Sequence, residues 1–259
     1  MLNDYQLIIH KFPRSFTSIN IYPLSDIHIE ASESDRALFI KLLNHILDDP
    51  TGYLVLVGDI FNNALKTSKS NVYKDIMSPS TAKDYLTKAL KPLAKAGRIL
   101  CGTAGNHEYR SVKEVDLDPL YDVFARLGIE NVYRQNLCLM KISLGSRAKD
   151  RQITYAGVLM HGTTTNKQKK FITNIDNADF FIFGHTHDLT FQPYTKLKLD
   201  LYNNVVIKQP YYYIVCNSFL KYADYAIRGL YTPKEAQGFQ YLTLSGTKKH
   251  ISYHYKEWE

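Results

Sequence analysis

Five short segments of this sequence carry aspartate, asparagine and histidine side chains that could bind metal ions. In chain order they are Ser25-Asp26-Ile27-His28, Gly58-Asp59, Gly105-Asn106-His107-Glu108, His161-Gly162 and Gly184-His185-Thr186-His187. Carboxylate, amide and imidazole groups suit Mn²⁺, Fe or Zn²⁺. None of the segments contains cysteine, which argues against a structural zinc site. Together they hold more donors than one tetrahedral ion can use and about enough for two.

Apolar runs precede these segments and are expected to position them. We predict strands at 19–24, 53–57, 98–103, 153–160 and 180–183, each ending where a polar segment begins. Ligands of α/β sheets bind outside the carboxyl ends of strands, so the five segments should converge on one crevice. Residues two apart on an extended chain point the same way, which pairs Asp26 with His28 and His185 with His187. Asp59 has two carboxylate oxygens and is the natural bridge between two ions.

The remaining pattern indicates one α/β domain. Apolar spacing predicts helices at 33–47, 80–96 and 120–127, further strands at 137–144, 205–208 and 211–215, and a hairpin at 238–255. Residues 62–79, 109–119 and 188–204 are predicted loops. The sequence has no repeat, low-complexity tract or linker-like break. We therefore expect a single domain over 1–259 in which two sheets pack face to face with helices outside.

Composition excludes several classes of protein. The 259 residues are 45% hydrophobic and 22% charged, unlike disordered or membrane proteins, and no 18-residue apolar run occurs. Three cysteines, far apart and odd in number, exclude a disulfide framework. We therefore expect a globular cytoplasmic protein that has no membrane partner.

The net charge of +7 is concentrated in two blocks. Residues 66–98 carry eight basic and two acidic side chains, and residues 141–170 carry seven basic and one acidic. Such blocks are typical of a phosphate-rich partner, but a solvated helix face and a hairpin loop would look the same. Lys167, Lys169 and Lys170 follow His161 closely, which favours a basic surface near the crevice.

In their order, the DxH, GD, GNHE, H and GHTH segments resemble the calcineurin-like metallophosphoesterase superfamily over about residues 20–220, leaving 221–259 as a β extension. The resemblance implies a four-layer αββα sandwich that hydrolyses phosphoesters with metal-activated water. It implies one ion held by Asp26, His28, Asp59 and His187, and another held by Asp59, Asn106, His161 and His185. Manganese is the leading candidate, with Fe, Zn²⁺ and Ni²⁺ as alternatives. By the same match, His107 is the catalytic histidine.

Two neighbours of that histidine depart from or extend the family pattern. Many members carry an aspartate where this chain has Asn62. The Asn62 amide could orient His107, but it offers no charge to stabilise an imidazolium. Arg110 could hold a phosphate oxygen, or it could pair with Glu108 or Glu114 at the surface. The GDxVDRG signature of Ser/Thr protein phosphatases is absent, which disfavours that branch.

Two later segments leave alternatives open. Residues 218–226 resemble endings of phage and prophage metallophosphoesterases, which would place the protein in a host cytoplasm. Tyr211–Tyr213 could stack on bases, or could pack a sheet as alternating strand residues.

These observations favour a phosphodiesterase acting on nucleic acid or a nucleotide. The alternatives are a phosphomonoesterase or nucleotide pyrophosphatase with a small substrate, and a non-catalytic scaffold. A scaffold of this fold need not keep its ligands, whereas every ligand position implied by the resemblance is filled here. The oligomeric state is not written in the sequence.

Overall fold

Two six-stranded sheets form the centre of the fold. The structure is a computed structural model that describes residues 4–65, 72–147, 151–222, 237–258 and the single residues 227, 230, 232 and 234. Its strands are β1 (Ile8–Lys11), β2 (Ser18–Leu24), β3 (Gly52–Val57), β4 (Ile99–Thr103), β5 (Tyr133–Arg134), β6 (Cys138–Arg147), β7 (Arg151–Leu159), β8 (Phe180–Phe183), β9 (Thr190–Asp200), β10 (Val205–Val215), β11 (Gly238–Ser245) and β12 (Ile251–Glu257). Its α-helices are α1 (Arg36–Asp48), α2 (Pro79–Lys95), α3 (Glu108–Val115), α4 (Pro119–Arg126) and α5 (Thr165–Phe171).

The first sheet has the order β12-β11-β2-β3-β4-β5, and we call it the carboxylate sheet because Asp26 and Asp59 follow its strands. Strands β2 to β5 run parallel, so their carboxyl ends lie on one edge. The C-terminal hairpin of β11 and β12 pairs with β2 in antiparallel register, with Leu242 opposite Ile21.

The second sheet has the order β1-β6-β7-β8-β10-β9, and we call it the histidine sheet because His161 and His185 follow its strands. Strand β8 lies parallel to both β7 and β10, which brings the ends of β7 and β8 to one edge. Strands β9 and β10 form a long antiparallel hairpin in which Val205 pairs with Asp200.

The main core lies between the two sheets. Strand β3 is buried on both faces: Tyr53, Val55 and Val57 face the inter-sheet core, and Leu54 and Leu56 face the outer helices. This double burial explains its uninterrupted apolar sequence. From the histidine sheet the inter-sheet core receives Met140, Ile142, Tyr155, Phe180, Ile182 and Ile214.

Helices cover the outer faces of both sheets. Buried side chains of α1, α2 and α4 form a second apolar cluster against the carboxylate sheet. Asp35 caps α1 by accepting from the Leu38 N–H, and Ser78 caps α2 just before Pro79. Phe171 and Ile172, at the end of α5, pack with a third cluster on the histidine sheet. This layering confirms the predicted α/β fold.

Two predicted loops are wrong. Residues 109–119 lie largely in helix α3, which is short and mainly polar, so its apolar spacing is weak. Residues 188–204 contain strand β9, where leucine and lysine alternate at 196–199 with the period of a strand. The predicted strands at 205–208 and 211–215 are one strand, β10. Strands β1 and β5 and helix α5 were not predicted.

Several predicted features lie partly outside the described residues. These are Lys66 and Lys69 of the first basic block, Lys149 of the second, and residues 223–226 of the phage-type ending. Within the described ranges, none of the helices is long and apolar enough to cross a bilayer.

Candidate metal centre

The motif residues sit on tight turns directly after their strands. Five motif residues other than glycine have positive φ angles: Asp26 at 53°, His28 at 49°, Asp59 at 50°, His185 at 74° and His187 at 56°. This left-handed conformation is unfavourable for residues with a Cβ, at a cost on the order of 1–3 kcal/mol each. The turns are therefore held by the surrounding structure rather than by local preference.

Glycines allow the turns to approach one another. A Cβ on Gly105 would overlap Oδ1 of Asp59, and a Cβ on Gly184 would overlap Oγ of Ser25. The glycine before each of these motifs is thus required by close contact with another motif.

Asp26, His28 and His187 form the first group of candidate ligands. Their ligand atoms all lie within 4.8 Å of one another. Oδ1 of Asp26 lies 3.1 Å from Nε2 of His187 and 3.9 Å from Nε2 of His28. This group matches the first ion site that the resemblance implies.

Asp59, His161 and His185 form the second group, again with ligand atoms within 4.8 Å. Oδ2 of Asp59 lies 3.1 Å from Nε2 of His161. Oδ1 of Asn106 joins them, 3.2 Å from Nε2 of His161 and 2.8 Å from Nδ1 of His185. The structure thus brings all seven predicted ligands to one edge of the two sheets.

Asp59 lies between the two groups. Besides its contact with His161, its Oδ2 lies 4.0 Å from Nε2 of His28, which belongs to the first group. The carboxylate is buried, with 2% of the residue exposed. Its position suits a bridging ligand.

The buried carboxylates of Asp26 and Asp59 require positive charge nearby to stay ionised. Burial disfavours ionisation of Asp26, but His187 and His161 lower its pKa to about 2. Burial also works against protonation of His161, yet Asp59 and Asp26 raise its pKa to about 10. Asp26 likewise raises the pKa of His187 against the effect of burial. Buried carboxylates surrounded by imidazoles suit divalent cations, because a cation supplies the positive charge that protonated imidazoles would otherwise supply.

Buried polar residues fix the orientation of the ligands. Ser25 donates from Oγ to Oδ2 of Asp26 at 2.6 Å, and Oγ of Ser218 donates to the Asp26 carbonyl at 3.0 Å. Nδ1 of His161 lies 2.8 Å from the Val57 carbonyl, which directs Nε2 at Asp59. The sequence did not reveal the roles of Ser25 and Ser218. For Ser25, its position directly before Asp26 could have indicated a contact with that carboxylate.

Glu108 is a third residue whose role the sequence did not reveal. Its carboxyl group is fully buried and accepts from the backbone N–H groups of Asp59, Phe61 and Gly105 at 2.7–2.9 Å. Burial and the nearby Asp59 carboxylate raise the pKa of Glu108 to about 8, although its backbone hydrogen bonds oppose this. Glu108 therefore ties two motif loops together and does not point at the ligand groups.

His107 lies beside the ligand groups, with Nε2 3.7 Å from Oδ2 of Asp59. Its Nδ1 lies 2.7 Å from the backbone carbonyl of Asn62. The Asn62 amide points elsewhere and donates to Asp75 at 2.6 Å. The expectation that the Asn62 side chain orients His107 is therefore corrected: the residue does so through its main chain, which bonds in the same way whatever the side chain.

Arg110 is half-buried and reaches inward. Its guanidinium donates to the Asn62 carbonyl at 3.1 Å and lies 3.0 Å from Nε2 of His107. Burial is the largest influence on the pKa of His107 and lowers it, and Arg110 adds to that effect while Asp59 opposes it. Arg110 thus lies beside the catalytic candidate, a position compatible with the phosphate-contact alternative.

Comparison with known proteins agrees with this geometry. A family model described as calcineurin-like phosphoesterase matches residues 19–189, a range that contains every candidate ligand. The chain belongs to the calcineurin-like phosphoesterase family. Its fold and its clustered aspartates and histidines are those of a phosphoester hydrolase family that uses a dinuclear metal site.

Solved structures show more distant likeness. Vacuolar protein sorting 29 from Cryptosporidium parvum is 12% identical, covers 94% of this chain and 100% of its own, and has a TM-score of 0.46. YfkN, a calcineurin-like phosphoesterase from Bacillus subtilis, is 12% identical over 93% of this chain and 89% of its own, with a TM-score of 0.40. A predicted phosphoesterase from Streptococcus pneumoniae TIGR4 is 9% identical over 93% and 100%, with a TM-score of 0.37. No curated protein matched the chain.

The basic blocks take different places in this phosphoesterase. Lys88, Lys91 and Lys95 are exposed on α2, in the outer helical layer, while Arg98 binds three carbonyls at the end of α1. In the second block, Lys167 of α5 lines the same cavity as His161, whereas Arg151 begins β7 at the end opposite His161. The first block therefore has the features of a solvated helix face, and only the α5 part of the second reaches the site.

The tyrosine tract packs the histidine sheet. Tyr211 and Tyr213 are buried in its outer cluster, and Tyr212 stacks on Phe191 from the opposite face with centroids 5.5 Å apart. Tyr213 also donates to Gln168 at 2.6 Å. The structure agrees with the interpretation that these tyrosines alternate along a strand and pack the sheet.

Proposed function

We propose that this phosphoesterase hydrolyses phosphodiesters, with a nucleotide or nucleic acid as the substrate class. The observation that carries the proposal is the pair of ligand groups that share Asp59. Asp59 faces His161 of one group at 3.1 Å and His28 of the other at 4.0 Å. Two adjacent cation sites suit displacement at phosphorus, because both the attacking and the leaving oxygen need charge stabilisation.

The donor set fits two divalent cations, and we propose manganese as the resident ion. Asp26, His28, Asp59 and His187 would hold one ion, and Asp59, Asn106, His161 and His185 the other. When bound, such ions supply charge to the phosphoryl oxygens and lower the pKa of water. Oxygen and imidazole donors without cysteine support manganese or iron over a thiolate-bound metal.

His107 is the residue placed to handle a proton. The Asn62 carbonyl accepts from Nδ1–H, so Nε2 is the nitrogen directed toward the ligand groups. Once protonated, Nε2–H can donate to a leaving-group oxygen. Protonation of Nε2 requires the Arg110 guanidinium to give up its hydrogen bond to that nitrogen, because two donors cannot bond to each other. A phosphate oxygen would offer the guanidinium a better acceptor.

We also propose the cytoplasm as the location of the enzyme. Cys101, Cys138 and Cys216 are all free and buried, which supports a reducing compartment. The resemblance of residues 218–226 to phage and prophage endings supports a host cytoplasm. In the described part of that segment, Ser218 contacts Asp26.

The direct test is hydrolysis of bis-p-nitrophenyl phosphate by the manganese-loaded protein. We expect turnover in the wild type and none above background for Asp59→Asn. The control is Asp84→Asn, an equal change of charge on a side chain that is 71% exposed. If the metal-loaded wild type is inert on monoesters and diesters alike, the proposed function is wrong.

Salt dependence then tests the substrate class. An enzyme that tracks along several phosphates should lose affinity steeply as ionic strength rises, because each phosphate contact releases counterions. A flat response would exclude polynucleotide as the substrate and leave a small nucleotide.

A further inference from the structure

Two cavities flank the candidate metal centre, and each reaches a different ligand group. The first is open to solvent, has a volume of about 410 Å³ and is lined by Asn106 and His161 of the second group. The other is also open, has a volume of about 510 Å³ and is lined by His187 of the first group. Cavities of roughly 300–1,000 Å³ are typical of small-ligand sites. Each is therefore large enough for one substituent of a phosphoester.

Helix α5 contributes to the walls of both cavities. Lys167 lines the first cavity and Lys169 lines the second. Residues two apart on an α-helix point about 200° apart. The helix that follows His161 thus directs one lysine to each side of the metal centre.

The first cavity has walls suited to a flat ring, and we call it the ring cavity. Its apolar surface comes from Ala104, Tyr109, Met160, Phe171 and Phe183. Tyr109 follows Asn106 by three positions in the chain, and 48% of it is exposed. The amides of Gln135 and Asn136 also line this cavity. An aromatic ring with hydrogen-bonding edges, such as a nucleobase, matches this combination.

The second cavity differs in chemistry, and we call it the polar cavity. It is lined by Thr165, Lys169, Asp188, Asn217, Lys234 and Tyr255. Lys234 bonds to Asp188 at 2.6 Å, and Nζ of Lys169 lies 5.8 Å from the Tyr213 ring centroid. One lysine thus offsets the acidic side chain, and Lys169 adds positive charge. This cavity suits a polar or anionic substituent.

We propose that the substrate is a nucleoside phosphodiester lying across the metal centre, with a base in the ring cavity and its second substituent in the polar cavity. The proposal rests on the proposed function and specifies how that site selects its substrate. A phosphomonoester has a single substituent and can fill only one of the cavities. The diester gains binding energy on both sides of the phosphorus.

The first experiment compares substrates of the manganese-loaded wild type. We expect kcat/KM for the dinucleotide thymidylyl-thymidine to exceed that for thymidine monophosphate at least tenfold. An abasic sugar on one side of the dinucleotide should lower kcat/KM about fivefold or more, since a stacked base contributes roughly 1–3 kcal/mol. The same change on the other side should cost less. Equal rates for monoester and diester, or equal losses for both abasic analogues, would overturn the proposal.

The second experiment removes the exposed ring from the ring cavity. Tyr109→Ala should abolish the difference between the two abasic analogues, and Tyr109→Phe should keep it. Tyr121→Ala is the matched control: Tyr121 is 43% exposed on α4 and lines neither cavity. If Tyr109→Ala keeps the full base preference, the ring cavity does not bind the base.

The third experiment addresses the polar cavity. Lys169→Gln should lower the ratio of dinucleotide to monoester kcat/KM, and Lys170→Gln on the same helix should leave it unchanged. An unchanged ratio in Lys169→Gln would contradict the assignment of this cavity. Turnover of bis-p-nitrophenyl phosphate by the wild type separates these failures from a failure of the proposed function, which would abolish all hydrolysis.

Discussion

The carboxylate sheet and the histidine sheet contribute different chemistry to one site. The carboxylate sheet supplies both aspartates, and its loops bond to each other through the main chain: the N–H groups of Ile27 and His28 donate to the Asp59 carbonyl. The ligands of the histidine sheet are instead oriented across the interface. The His185 N–H donates to Oδ2 of Asp26, and His161 bonds to the Val57 carbonyl. The carboxylate sheet thus forms a template against which the histidine sheet is aligned.

Burial does not follow this division. Each sheet contributes a buried candidate ligand, Asp26 in the carboxylate sheet and His161 in the histidine sheet. Each sheet also contributes an accessible one, since Asn106 is exposed and His185 is half-buried. The template therefore fixes the geometry of the site, while both sheets border its open side.

The largest expected effect comes from removing one imidazole from each sheet. His28→Gln and His161→Gln should each lower hydrolysis of bis-p-nitrophenyl phosphate by more than about 100-fold, because even the outer partners of metal ligands are worth 10–100-fold. Metal content per chain, measured by elemental analysis, should fall in both. The control His254→Gln removes a ring that stacks on Tyr241, away from the ligand groups. Full metal content in either ligand variant would show that one sheet binds metal alone.

Metal removal should weaken the contact between the sheets. Ions that bind only the folded state stabilise it, by about 2.7 kcal/mol per site at a free concentration 100 times Kd. Chelation should therefore lower the melting temperature. The aspartates raise the pKa of His161 and of His187, so protons compete with metal, and the stabilisation should grow as pH rises. Calorimetric scans with and without chelator, at several pH values, check both points; an unchanged melting temperature would contradict them.

A smaller effect is expected from a hydroxyl that joins the sheets far from the ligands. Tyr155 on β7 is buried, and its hydroxyl donates to the Ser245 carbonyl at 2.8 Å and accepts from the His250 N–H at 3.0 Å. Tyr155→Phe leaves these groups unpaired and should cost about 1–3 kcal/mol of unfolding free energy, measured by denaturant titration. Tyr202→Phe, at a residue 93% exposed, should change nothing measurable. Equal stabilities would mean that the Tyr155 hydroxyl contributes nothing to joining the sheets at this end.

The smallest effect concerns the orientation of His107 within the carboxylate sheet. The main chain of Asn62 makes the contact, so Asn62→Ala should reduce kcat less than about tenfold, whereas loss of a general acid–base residue costs about 100-fold or more. His107→Gln provides that comparison. A loss in Asn62→Ala as large as in His107→Gln would restore the orienting role to the amide.

The sequence was informative where the apolar pattern of a strand is followed directly by residue types that can bind metal ions. Apolar runs end at polar motifs, and the carboxyl ends of these strands do meet at one edge. It was uninformative where a contact joins distant residues. Glu108 binds Asp59 across 49 positions, and Ser218 binds Asp26 across 192. Strand β9 was missed because it contains no continuous apolar run. The leucines that alternate with lysine at 196–199 are exposed, and among the described residues the strand pairs with β10 alone.

The left-handed turns set a conflict between folding and function. Each of the five residues that adopt them would fit the backbone better as glycine, and glycine there would relieve part of a cost on the order of 1–3 kcal/mol. Each such replacement would also delete a side chain from the candidate centre. At Asp26 that replacement would also leave the Ser25 hydroxyl and the His185 N–H without their acceptor, which offsets the relief of the backbone. A lineage released from the need for metal would therefore relieve backbone strain more readily by glycine at the histidine positions than at the aspartates.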